Sequence, residues 1–232
     1  MTGLSRDGGL LLPERIPDIR SYLSAWKALS YRQLAFEIMR LYVDIPDTEL
    51  KNIIERSYTD FRHPEVTPVV SLDSIHILEL FHGPTFAFKD IALQWLGNVF
   101  EYILSNTNRH LNILAVTSGD TGSAAIYGVK GRKKMRIFVL YPYQKISMIQ
   151  ERQMTTVLEN NVFNIAIKGS FDDCQSIVKN LFQDLAFKDQ YMLGSVNSIN
   201  WARLLAQIVY YFYATFRVME TCRCQKVRFC VQ

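Results

Sequence analysis

The stretch "LNILAVTSGDTGSAAIYGVK" (Leu111–Lys130) decides the fold. Its first seven residues, Leu111–Thr117, are a nearly unbroken apolar run of strand length. A strand that is apolar on both faces belongs in a sheet covered by helices. Gly119 and Gly122 then mark a tight turn, and Thr121–Lys130 has helical periodicity. Strand, short turn and helix make one unit of a parallel α/β sheet.

Outward from this unit the same rhythm repeats. Strands are predicted at Ile75–Phe81, Met135–Pro142, Val162–Gly169, within "YMLGSV" (Tyr191–Val196), and at Lys226–Val231. Amphipathic helices are predicted at Asp90–Leu104, Ser147–Glu159, Asp172–Leu185 and Ile199–Phe216. Before residue 71 the pattern is helical only. Ser30 is placed to cap a helix carrying Leu34, Ile38, Leu41 and Tyr42, and Pro46-Asp47 starts another with Leu50, Ile53, Ile54 and Phe61. The expected organisation is therefore a helical N-terminal module over 1–70 and an α/β region over 71–232. In such sheets ligands gather at the carboxyl ends of the strands.

Composition sets further bounds. The 232 residues are 49% hydrophobic and 21% charged, as in ordinary globular domains. The formal net charge of +4 is mild, and no basic block interleaved with aromatics suggests nucleic acid. The densest basic run, "GRKK" (Gly131–Lys134), falls between a helix and a strand and reads as a solvated turn. No secretory leader is visible at the N-terminus, so a cytoplasmic location is expected. "LLAQIVYYFYATF" (Leu204–Phe216) is shorter than a bilayer span and reads as a core helix, so no membrane partner is expected. The cysteines Cys174, Cys222, Cys224 and Cys230 are expected as reduced thiols. The last three lack the paired spacing and the fourth ligand of a zinc site, and no metal is expected.

Three segments carry groups that chemistry can use. In "HGPTFAFKDIAL" (His82–Leu93), Lys89 stands where a helix begins. The positive end of the helix dipole and the neighbouring Phe86 and Phe88 favour a neutral amine, which can attack an aldehyde. The competing reading is an exposed lysine at a helix start, the commoner situation for this residue type. In "TSGDTGSAA" (Thr117–Ala125), the helix-start amides and the hydroxyls of Ser118, Thr121 and Ser123 suit an anion, although a plain strand-to-helix turn would look similar. In "SVNSINWARLLAQ" (Ser195–Gln207), Asn197, Ser198, Asn200 and Arg203 cluster at another helix start. Arg203 suits a phosphate or carboxylate, because its donor fork matches two oxygens. Against this stands simple capping by Asn197 or Ser198, with Arg203 on a solvated face.

Taken together, "FHGPTFAFKD", "TSGDTGSAA", the later "VLYP", "KIS" and "QMTTV", and "NSINWARLLAQI" resemble the threonine synthase family, with the resemblance running from "RDGGLLLPE" (Arg6–Glu14) onward. The family implies a pyridoxal-phosphate enzyme of fold type II, like the tryptophan synthase β chain: a parallel sheet with flanking helices after a small helical module. By resemblance Lys89 forms the Schiff base with pyridoxal phosphate and later moves protons on the substrate. Lys89, Ser118, Asp120 and Thr121 are the implied cofactor-binding residues. Thr121, Asn197, Ser198 and Arg203 are the implied substrate-binding residues. The implied reaction turns the small molecule O-phosphohomoserine and water into threonine and phosphate.

The resemblance also has departures. The "PSGNFG"-type loop that cups the cofactor phosphate in the family has no counterpart in the 232 residues, and "METCRCQ" (Met219–Gln225) does not match. The expectation is a large domain that is incomplete and inactive alone, with a second chain as one possible source of the remainder. Two alternatives stay open: another type-II lyase or dehydratase, and a non-catalytic fragment with an interaction role.

Overall fold

The protein is described by a computed structural model covering residues 11–107, 109–196, 200–224 and 226–231. Among these residues the central element is a four-stranded parallel sheet made of β3 (Leu111–Val116), β4 (Met135–Pro142), β5 (Val162–Ile167) and β6 (Leu193–Ser195), in the order β5-β4-β3-β6. The chain builds outward from β3 to β4 and β5, then crosses back to lay β6 on the other side of β3. That reversal makes β3 the switch point of the sheet, the place where sheets of this kind bind ligands. The register is regular: Leu111 to Val116 lie opposite Met135 to Leu140.

The helices are α1 (Leu23–Trp26), α2 (Tyr31–Met39), α3 (Asp47–Tyr58), α4 (Lys89–Ser105), α5 (Asp120–Val129), α6 (Met148–Thr155), α7 (Phe171–Gln183), α8 (Leu185–Gln190) and α9 (Trp201–Cys222). Ser30 caps α2 as expected, in a reciprocal capping box with Gln33. The apolar stripes read from the sequence are buried: Leu34 and Ile38 of α2, and Leu50, Ile53 and Ile54 of α3.

Among the described residues, two apolar clusters form the interior. One joins α2 and α3 to α9 and to one side of α4, through Ile91, Ala92, Trp95 and Val99. The other joins Ile113, Ala115, Ile137 and Val139 of the sheet to α5 and to the opposite side of α4, through Leu93, Leu96, Phe100 and Leu104. Helix α4 is thus not amphipathic, as periodicity suggested. Every residue from Asp90 to Phe100 is buried, because the helix is the wall between two cores. Where α4 passes α5 the backbones nearly touch. A Cβ on Gly97 would overlap the Gly128 carbonyl, and one on Gly128 would lie 2.6 Å from the Leu93 oxygen.

The other face of the sheet is less covered. Helix α7 packs on β3 and β4. At the edge Phe163 and Ile165 of β5 remain 40% and 39% exposed, with Phe163 stacked on Phe138.

Three expectations are corrected. Ile75–Leu78 (β2) does not join the parallel sheet. It pairs antiparallel with Val69–Leu72 (β1) as a separate hairpin, turned by Asp73 with φ +50°. Lys226–Val231 is not a strand in its described residues, since none of them pairs in either sheet. A strand needs a neighbour to satisfy its amides, and the contact here is a side-chain one, Phe229 edge-on to Tyr211. Finally, Cys222 and Cys224 are joined as a disulfide rather than left as thiols. Arg223 between them takes a left-handed φ of +50° at the end of α9, which brings the two Cα atoms to 5.2 Å. Cys174 is a buried thiol and Cys230 an exposed one.

Candidate functional site

Two loops meet at the carboxyl end of β3. The first, Gly83–Phe88, leads into α4. Its backbone closes with the Phe86 amide on the Gly83 carbonyl (3.2 Å) and the Asp90 amide on the Ala87 carbonyl (3.0 Å). Phe86 adopts φ +59°, a left-handed backbone that costs a side chain of this size free energy. The Arg62 guanidinium lies 4.0 Å over its ring and donates to the Gly83 carbonyl. Lys89 is the first residue of α4. Its side chain is only 17% exposed, and its ammonium lies 4.7 Å from the Phe88 ring centre.

The second loop, Thr117–Gly119, leads from β3 into α5. Thr117 is 1% exposed, and its hydroxyl oxygen accepts from the amides of Gly119 (2.9 Å) and Gly122 (2.8 Å). Gly119 has φ +148°, a conformation that L side chains rarely adopt. The turn delivers Asp120 as the first residue of α5.

Lys89 and Asp120 form an ion pair in which the lysine Nζ donates to Asp120 Oδ2. Burial pushes the Asp120 carboxyl up, but the hydrogen bond and charge of Lys89 outweigh it, and the group is held below its ordinary value. The Lys89 side chain thus faces a carboxylate across the two helix starts. Thr121 lies beside the pair, its hydroxyl 3.5 Å from Asp120 Oδ1. Ser118 is exposed at the tip of the turn. Ser123 does not face a ligand: it is buried and donates to the Gly119 carbonyl at 3.3 Å.

Thr117 and Asp90 are the residues that sequence reasoning missed. Asp90 is fully buried, where burial raises its carboxyl against the lowering effect of its donors Thr85 and Ala87 and the charge of Arg62. The signal was present, since an acid that opens a run as apolar as "IALQWLGNVF", with Gln94 and Asn98 its polar members, has little solvated face to occupy.

The third segment is described in part. Asn197 and Ser198 lie outside the described residues. Asn200 caps α9, accepting from the Ala202 amide at 2.9 Å. Arg203, in the first turn of α9, is 3% exposed and therefore not on a solvated face. Burial holds its guanidinium below its ordinary value.

Residues 1–58 match the family model for the threonine synthase N terminus. Threonine synthase of Schizosaccharomyces pombe is 50% identical over 244 residues, and that of Saccharomyces cerevisiae is 50% identical over 247. The whole chain is similar to threonine synthases. The alignments cover 100% and 99% of this chain but 48% of each relative, so the chain spans about half the length of the curated threonine synthases it matches. The crystal structure of threonine synthase from yeast superposes with a TM-score of 0.89 at 51% identity, over 94% of this chain and 46% of that one. The structure of pyridoxal-phosphate-bound threonine synthase from Brucella melitensis gives 0.90 at 43% identity, over 93% and 47%. The expected α/β fold with a parallel sheet and flanking helices is thus that of threonine synthase structures. Among the described residues no helix is long and apolar enough to cross a membrane.

Proposed function

We propose that these residues belong to a pyridoxal-phosphate enzyme that converts O-phosphohomoserine and water to threonine and phosphate, with Lys89 as the residue that carries the cofactor. The observation that carries the reading is the part-buried Lys89 amine held against Asp120 at the carboxyl end of the switch-point strand. A part-buried primary amine is the group with which the cofactor's aldehyde would condense, once Lys89 has given up its proton, so Lys89 fits the aldehyde end of the cofactor. When bound, the cofactor supplies an electron sink for carbanions next to the substrate nitrogen.

The chain's own groups then take distinct roles. Lys89 Nζ moves protons at the substrate carbons, and Asp120 keeps that amine oriented between transfers. Ser118, Asp120 and Thr121 line the cofactor and the substrate carboxylate. Arg203, with Asn197 and Ser198, receives the substrate phosphate; a desolvated guanidinium is well suited to it. The helical module at 1–70 precedes the α/β region at 71–232, and the enzyme works in the cytoplasm.

We further propose that the 232 residues alone are inactive. In support, they span about half of their relatives and leave Phe163 and Ile165 open at the sheet edge.

Pyridoxal phosphate added to the chain, followed by borohydride reduction and peptide mapping, tests the assignment. Label is expected on Lys89 and lost in Lys89→Ala. Label spread evenly over surface lysines overturns it. Phosphate release from O-phosphohomoserine, set against turnover of serine or threonine by a full-length version, separates this activity from that of other lyases. Release by the 232-residue chain itself overturns the proposed inactivity.

A further inference from the structure

We infer that Asp90 is a positioning residue for Lys89: its buried carboxylate is the template on which the Gly83–Phe88 loop folds, and through that loop it sets where the lysine amine stands. The inference rests on the reading of Lys89 given above. Its geometric content does not.

Asp90 is 0% exposed, yet it is the second residue of a helix, where an acid ordinarily points to solvent. It turns back instead. Oδ1 accepts from the Thr85 hydroxyl at 2.6 Å, and Oδ2 accepts from the Thr85 amide at 2.8 Å and the Ala87 amide at 3.4 Å. The loop has no regular secondary structure to satisfy these donors, so the carboxylate takes the place of a partner strand. Gly83 completes the fit, because a Cβ there would collide with the Asp90 side chain. The left-handed Phe86 lies between the two residues that Asp90 binds, so the carboxylate holds the most strained part of the loop. Lys89 follows this loop immediately. Its amine must meet Asp120, which comes from a different loop on a different helix. A shift in the first loop therefore separates the pair, whereas Asp90 itself touches neither the amine nor its partner carboxylate in the contacts described.

This arrangement sets apart the conservative substitution. In Asp90→Asn the amide oxygen can take the place of Oδ2 and accept from the Thr85 and Ala87 amides. The NH2 group can then donate to the Thr85 oxygen in place of Oδ1. Asp90→Ala leaves all these donors without an acceptor.

Two labelling experiments on the intact chain test the role, with cooperative melting as the check on folding. The first is free of cofactor: competitive acetylation with acetic anhydride, reading Lys89 against exposed Lys133. In the native protein Lys89 is expected to react more slowly, being paired and partly buried. Asp90→Ala is expected to raise its relative rate about tenfold, while Asp90→Asn stays within about threefold. The second is borohydride trapping with pyridoxal phosphate, where Asp90→Ala lowers the share of label on Lys89 by a similar factor and Asp90→Asn restores it. Thr85→Val, which removes one donor and keeps the volume, gives a smaller change of the same sign and serves if Asp90→Ala does not fold. An unchanged acetylation rate in a folded Asp90→Ala, or in Thr85→Val should that be the only folded variant, overturns the inference. So does Asp90→Asn falling as far as Asp90→Ala. A native chain that traps no cofactor at Lys89 overturns the proposed function instead, and the acetylation result still decides the role of Asp90.

Discussion

The two loops at the end of β3 solve one problem with different chemistry. Each must hold an irregular backbone still so that the first residue of a helix projects into a shared site. The Thr117–Gly119 turn does it with a neutral hydroxyl oxygen and places its unusual backbone on a glycine. The Gly83–Phe88 loop does it with a buried carboxylate and places its unusual backbone on a phenylalanine. The first solution fixes the turn with little strain. The second stores strain and a charge next to the lysine, and so depends on pH where the first does not.

The largest test removes the neutral anchor. Thr117→Val keeps the shape but leaves the buried Gly119 and Gly122 amides without their acceptor. A loss of about 2–4 kcal/mol in denaturant unfolding is expected. A loss below ~1 kcal/mol would mean that the turn is held by its neighbours and that the likeness between the loops is superficial.

Next comes the pH dependence, in which the two acids oppose one another. The Asp120 carboxyl is depressed in the folded state, so its contribution is present above the unfolded value near 3.8 and lost as pH falls through the lower folded value. The Asp90 carboxyl is raised, so the folded state binds the extra proton. Its effect on stability is most favourable below 3.8 and declines as pH rises through the folded value. Urea unfolding across this range should show Asp120→Asn losing part of the acid-side fall, and Asp90→Asn losing part of the decline above 3.8. Equal slopes in both variants would remove the contrast.

The smallest effect concerns strain. Phe86→Gly relieves the left-handed backbone, worth about 1–2 kcal/mol, but gives up the Arg62 stacking, worth about 0.5–1 kcal/mol. It also adds the backbone freedom of glycine to the unfolded chain. A net change within about 1 kcal/mol is expected by thermal unfolding. A large destabilisation would show that the ring, not the backbone, organises the loop.

What the sequence made legible follows from how local each signal is. The β3–α5 unit was readable because apolar run, turn and helical period all lie within twenty consecutive residues. Lys89 and Asp120 could each be singled out, but not their contact, since thirty-one positions and a strand separate them. The β1–β2 hairpin exposed the opposite weakness. Ile75–Leu78 has the composition of a buried strand, yet Ile75 and Ile77 stand 56% and 42% exposed. Composition alone did not say which sheet such a strand joins. Lys226–Val231 misled in the same way, because strand propensity is realised only when a neighbour is there to bond. Asp90 was missed for a different reason: an acid in the first turn is so ordinary a capping signal that its inward turn drew no notice.

The glycine contact between α4 and α5 bears on how the site can move. With Gly97 against Gly128 and no side chain between them, neither helix has a cushion to slide on. The bodies of the two helices therefore travel as a single part, and the freedom left to the lysine and the aspartate lies at their first residues, where the two loops hold them. Entry and exit of anything that binds there must be granted by the surrounding pieces, among them the exposed tip at Ser118 and helix α6, whose Gln153 reaches the Thr85 carbonyl at 3.4 Å.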